Sequence, residues 1–299
     1  MSVRVQEPRS APGKVSGRCA ADAPGMPTTT TYPTVVDVDP DELDRHITEM
    51  YRDVANGDVR DLHFQTGRRL AEALGYPIPL LNALPAEAVS SFAGVGHHLP
   101  LARLQPGERV LDLGSGSGMD AFAAAKQVGP TGSVTGVDIT PEQLARADRL
   151  NRDRTVKFVR ARIEELPFAD GTFDAVISNG VVNLSAAKHV VFAEAARVLR
   201  PGGRLALADI VTERQIAEGT ACQADLWAAC IAGASRWDLY LDAVAAAGLE
   251  LELIHSNPTY AFISERAQRA SEKYGAQSVS LLALKPAYTN TTKTQEVSQ

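Results

Sequence analysis

Between Arg109 and Asp120 the chain reads RVLDLGSGSGMD, and residues of these types at these spacings could do binding chemistry. Gly114, Gly116 and Gly118 alternate with single serines, so a ligand could lie against bare backbone N–H groups at the start of a helix. The spacing is G-x-G-x-G, not the G-x-G-x-x-G of a dinucleotide cradle, and a glycine loop alone is a weak sign. Asp112 stands two residues before Gly114, at the end of an apolar run. A carboxylate there would repel a pyrophosphate and attract an ammonium group. Asp138 follows Gly118 by 20 residues, which suits a carboxylate accepting hydrogen bonds from both hydroxyls of a ribose. A ligand with a ribose, an ammonium and no phosphate is S-adenosylmethionine. A nicotinamide dinucleotide is the alternative.

Other reactive types are scattered along the chain. His97 and His98 precede the glycine segment and read either as general bases near neutral pH or as an exposed loop pair. Asp209 closes a later apolar run, where it would line a second-substrate pocket or order a loop. Cys19, Cys222 and Cys230 are too few and too scattered for a disulfide framework or a zinc knuckle, and no metal site is expected. Trp227, three residues before Cys230, reads as core or pocket wall.

These residues need elements to position them. The runs RVLDLG, SVTGVDI, VKFVRA, FDAVISN and RLALADIV read as strands buried on both faces, separated by the helical patterns MDAFAAAKQV, PEQLARADRLN and AKHVVFAEAARVL. That alternation predicts a parallel sheet with right-handed crossovers. Thr140–Gln143 has the form of a capping box with proline at the first helical position. Two helices over roughly 219–233 and 236–247 follow, then the strands LELELIHSN and SVSLLALK with a helical insert near 263–274. Ahead of the glycine segment, Leu43, Ile47, Met50 and Val54 recur at helical spacing, and a second helix is expected over roughly 60–75.

The expected organisation is a disordered tail over 1–38, a helical cap over 39–92, the main α/β domain over 93–286 and a polar tail over 287–299. Met26 is an alternative start. The 299 residues carry a net charge of −6, which argues against a nucleic-acid footprint. The absence of a long apolar run argues against a membrane span, and the cysteine usage fits a cytoplasmic setting.

In order and spacing, LDLGSGSG, VTGVDIT, IEELPF, FDAVISN and EAARVLRPGGRL resemble the class I S-adenosylmethionine-dependent methyltransferases over about residues 85–285. The resemblance implies a Rossmann-like fold: a mainly parallel seven-stranded sheet, helices on both faces and an N-terminal helical lid. It implies that Asp112, Gly114 and Gly116 line the methionine part and that Asp138 holds the ribose, with Gly118 and Ile139 also in the cofactor site. Ile163 and Glu164 would flank the adenine, and Asn179 would sit near the sulfonium. Many relatives carry an aspartate where this chain has Arg162.

FAGVGHHLPLARLQPGERVLDLGSGSGMD, SNGVVNLSAAKHVVFAEAARVLRPGGRLALADI, LWAACIAGA and ITEMYRDVANGD are similar to the arsenite methyltransferase group, in which Tyr51 would belong to the lid. That group presents three thiolates to trivalent arsenic. Val95 and Gly180 stand at two of those positions, and Cys230 stands at the third. Cys222 does not replace them, because eight residues of helix separate it from Cys230 by about 12 Å and roughly 80°. The expected reaction is methyl transfer to a small-molecule acceptor, catalysed with Cys230, His97 or His98. The acceptor is either an arsenical or an organic molecule of quinone or secondary-metabolite type. A cofactor-binding protein without catalysis is the remaining alternative, and no obligate protein partner is expected.

Overall fold

The computed structural model describes residues 40–57, 62, 64–216 and 233–287. Both expected tails beyond that range, the Met26 start, most of the helix expected over 219–233, Trp227 and all three cysteines lie outside the described residues.

The sheet is built as its apolar runs predict. The strands β1 (Arg109–Leu113), β2 (Ser133–Asp138), β3 (Val156–Arg160), β4 (Phe173–Asn179) and β5 (Leu199–Thr212) are parallel. The two-residue β6 (Ser235–Arg236) pairs with β5, and β7 (Glu250–Ser256) and β8 (Gln277–Leu284) complete the sheet as an antiparallel pair. The order is β3-β2-β1-β4-β5-β8-β7, with β6 off the path.

Residues of the central strands alternate between two cores, which is why those runs are largely apolar. Val110, Ile177, Ala206 and Leu282 face one core with α6 (Met119–Val128) and the short N-terminal helices α2 (Arg68–Ala73), α3 (Ile78–Asn82), α4 (Ala86–Ser90) and α5 (Leu99–Ala102). Leu111, Val176, Leu205 and Leu281 face the other, with α8 (Lys188–Val198) and α9 (Trp237–Ala246). The helix α7 (Pro141–Leu150) follows β2, and α10 (Glu265–Tyr274) forms the insert before β8.

The front of the chain departs from expectation: α3, α4 and α5 are short helices where a loop is expected, and the second helix is shorter. The helix expected over 60–75 contracts to α2, because Gly67 sits at φ 82 with its N–H given to the Phe92 carbonyl at 2.7 Å. Phe64 is bridged to Phe262 instead of being helical. The helix α1 (Pro40–Asn56) forms as its spacing predicts and buries Leu43, Ile47 and Val54, each contributing about 1.5–3 kcal/mol. Its carbonyls are held from below: Gln143 Nε2 donates to the Tyr51 carbonyl at 2.9 Å, and the Arg146 guanidinium donates to that of Ala55.

Candidate functional site

A cavity of about 350 Å³ lies under α1 at the carboxyl edge of the sheet. Asp112, next to last in β1, and Asp138 and Asn179, the last residues of β2 and β4, line it, and Asp120 joins them from the first turn of α6. Gly114 and Gly116 line it as bare backbone. Gly114 is glycine by necessity, since it sits at φ 66 and a Cβ there would meet the Val181 side chain at 2.2 Å.

The charges in this wall are lopsided. Five carboxylates (Asp44, Asp112, Asp120, Asp138 and Glu164) face one guanidinium, Arg162, among the described lining residues. Arg162 is itself engaged by Asp44 on α1 and stands 3.6 Å from Glu164. Asp112 is 2% exposed, and its Oδ2 has no hydrogen-bond partner. Burial, then the nearby Asp120 and Asp138, push its carboxyl well above the ordinary range, against one N–H donated by Ala121. Ser115 Oγ, also on the wall, is likewise buried without a partner. A cavity of this kind repels a diphosphate and attracts a cation able to donate hydrogen bonds.

Asp138 is pre-set by backbone. Its Oδ2 accepts the Gly116 N–H at 2.9 Å, and its Oδ1 accepts the Thr140 N–H at 2.8 Å. Burial still raises its carboxyl, with those N–H donors opposing. The Thr140 side chain does not cap α7 as the capping-box pattern predicts. Its hydroxyl goes to Asp138, and Gln143 Oε1 pairs with Ser117 Oγ at 2.5 Å.

The structure brings Tyr51, Asp112, Gly114, Gly116, Asp138, Ile139, Ile163, Glu164 and Asn179 to one cavity. It does not bring Gly118, His97 or His98 to that surface among the described residues. Gly118 precedes α6 at φ 91, where a Cβ would strike Phe158 at 2.8 Å. His98 is fully buried, both its ring nitrogens lack partners, and burial holds it down to about 4, so it stays neutral. His97 stacks on Tyr76 with centroids 4.0 Å apart, and burial lowers it also. Asp209 is fully buried within β5 and does not line the cavity.

Sequence spacing missed Asp120, whose only local sign is an acidic residue in the first turn of α6. Its carboxylate accepts the Tyr76 hydroxyl at 2.6 Å and the Asn179 amide at 3.0 Å. Asn179 Oδ1 in turn accepts the Val95 N–H at 2.8 Å, which ties the 93–96 loop to the cavity.

A parallel sheet ordered 3-2-1-4-5, an acidic cradle at its carboxyl edge and a helix closing over it define an α/β domain for a cationic nucleoside ligand. Comparison with known proteins agrees. A methyltransferase-domain model matches residues 104–248. The chain is 36% identical over 249 residues to the arsenite methyltransferase of Halobacterium salinarum, covering 77% of this chain and 63% of that protein. It is 41% identical over 170 residues to the arsenite methyltransferase of Aquipseudomonas alcaligenes, covering 54% and 49% respectively. The chain thus spans less than two thirds of the length of either curated relative. A solved arsenic(III) S-adenosylmethionine methyltransferase from Chlamydomonas reinhardtii superposes at a TM-score of 0.56 and 30% identity, over 76% of each chain. The chain belongs to the S-adenosylmethionine-dependent methyltransferases, near the arsenite methyltransferase group.

Proposed function

We propose that the protein transfers the methyl group of S-adenosylmethionine to a small-molecule acceptor. The observation that carries the reading is the orphaned Oδ2 of Asp112 in a wall of carboxylates beside bare glycine backbone. Asp112 would take the ammonium of the cofactor, with Gly114 and Gly116 along its methionine part. Asp138 would take the ribose hydroxyls with Ile139 beside it, and Ile163 and Glu164 would flank the adenine. Asn179 would stand near the sulfonium, and Tyr51 would close the lid. When bound, the cofactor supplies a methyl carbon that is already electrophilic. The protein's task is therefore alignment and exclusion of water, which α1 and the apolar wall of Phe92, Met119, Val181 and Leu184 serve. Neither His97 nor His98 lines the cavity among the described residues.

The relatives' names favour an arsenical. A second reading, an organic acceptor, is favoured by Val95 and Gly180: Val95 is fully buried, and a Cβ on Gly180 would stand 3.2 Å from its Cγ1. The two positions at which the resemblance expects thiolates therefore adjoin each other and carry an apolar contact. Cys230 lies outside the described residues.

Purified full-length protein with labelled cofactor, arsenite and glutathione tests both readings. Methylated arsenic supports the first. Cofactor binding without arsenic product, together with label transfer to an organic extract, supports the second. No S-adenosylhomocysteine under either condition would leave a cofactor-binding protein without catalysis. Among the described residues no helix is long and apolar enough to cross a membrane, and the proposed setting is cytoplasmic.

A further inference from the structure

Behind the stretch of cavity wall formed by Leu184–Ala187 runs a buried chain of polar groups that methyl transfer does not use. Tyr240 on α9, 1% exposed, donates its hydroxyl to Asp209 Oδ2 at 2.7 Å. Asp209 also accepts backbone N–H groups of Ile210 and Asn183. Lys188, the first residue of α8, buries its ammonium within electrostatic reach of both Asp209 and Glu164, and donates to the Ser185 carbonyl at 2.6 Å. Ser185 Oγ donates to Glu164 Oε1 at 2.5 Å and accepts the Ala187 N–H at 3.0 Å. Ser185 and Glu164 line the cavity, whereas Lys188, Asp209 and Tyr240 do not. A buried ammonium is tolerated only when it is paired and hydrogen-bonded, and this one has its bond to a carbonyl of the wall.

We propose that Lys188 is a positioning residue for the cofactor: acting through the Ser185 carbonyl and the Glu164 carboxylate, its charge holds the 185–187 wall in the geometry that binds S-adenosylmethionine. The proposal rests on the assignment of the cavity to that cofactor. The groups that face Lys188 are Asp209 from β5, supported by Tyr240 from α9, and Glu164, which has Arg162 3.6 Å away. Burial raises Asp209 to about 7 and lowers Lys188 to about 8, with both carboxylates opposing the fall in Lys188. The wall therefore loses its hold as pH rises through the Lys188 value.

Calorimetric titration of the full chain with S-adenosylmethionine and S-adenosylhomocysteine between pH 6.5 and 9.5 tests this. The wild-type Kd is expected to rise about tenfold across pH 8 beyond any change due to the ligand's own ammonium. Lys188→Met is expected to start about tenfold weaker and to lose the rise across pH 8 beyond that due to the ligand and Asp209, with kcat at saturating cofactor within about twofold of wild type. Tyr240→Phe leaves Asp209 less able to hold its charge, and so is expected to move the wild-type midpoint to lower pH. A folded Lys188→Met chain with wild-type affinity, or with the wild-type pH slope, overturns the proposal. Should that variant not fold, an unmoved midpoint in Tyr240→Phe overturns it. A wild-type chain that takes up no cofactor refutes the assignment of the cavity itself, a failure distinct from binding without the Lys188 effect.

Discussion

Asp112→Asn should make the cofactor-free protein more stable and a worse binder. The change removes one negative charge and almost no volume. The Asp112 carboxylate is 2% exposed, one of its oxygens is unpartnered, and Asp120 and Asp138 both add repulsion. An unpartnered buried carboxylate beside two other acids costs more than a neutral amide in the same place, so the variant should gain on the order of 1–3 kcal/mol. Its melting point should rise by roughly 2–4 °C for each kcal/mol. The pH dependence follows from the sign of the shift. The carboxyl is raised in the folded protein, so its favourable contribution is complete below the unfolded value of about 4 and is lost as pH rises through the folded one. The gain from asparagine should therefore be absent in acid and grow as pH rises above about 4. Binding should move the other way, since a charge-assisted bond to the ammonium is worth about 1.5–3 kcal/mol, or roughly 10- to 150-fold in Kd. Scanning fluorimetry with and without S-adenosylmethionine should show the two melting curves exchanging order as cofactor saturates the wild type. An asparagine variant that is less stable without cofactor, or that binds with unchanged Kd by calorimetry, would refute the reasoning.

Asp138→Ala should weaken cofactor binding by roughly 1.5–3 kcal/mol and lower the melting point, because the Gly116 and Thr140 N–H groups lose their acceptor. An unchanged dissociation constant would remove that residue from the site. Gly114→Ala places a side chain at φ 66, which alone costs roughly 1–2 kcal/mol, and drives it into Val181. Adding Val181→Ala should restore part of the stability in urea titrations but not the backbone strain, and full recovery would count against the geometry. His98→Leu should flatten the acid limb of stability. A histidine held to about 4 when folded and near 6.5 when unfolded costs the wild type about 3 kcal/mol as pH falls through that window. Equal losses in wild type and variant between pH 7 and pH 4 would show that the titrating group is another.

What could be read from the residues follows how locally each feature is encoded. Strands buried on both faces are largely apolar, so the central strands β1, β4 and β5 stand out as runs, and Asp112 and Asp138 stand out as the acids at or next to strand ends. The helices α3, α4 and α5 did not stand out, because each is five residues or fewer and begins on or beside proline, which reads as a loop. Asp120 is a site residue only because Asn179, 59 positions away, and Tyr76, 44 positions away, close on it. No periodicity carries such a contact. The histidines show the converse. Residue type suggests proton transfer for His97 and His98, yet burial sets an imidazole's working pKa, and burial is a property of the packed N-terminal helices. Local rules thus recover the acids that reach the cavity at or near strand ends. The groups that tune them, from Tyr76 on Asp120 to Lys188 behind Glu164, belong to the tertiary structure alone, and variants at those positions are the sharper probes of how the site works.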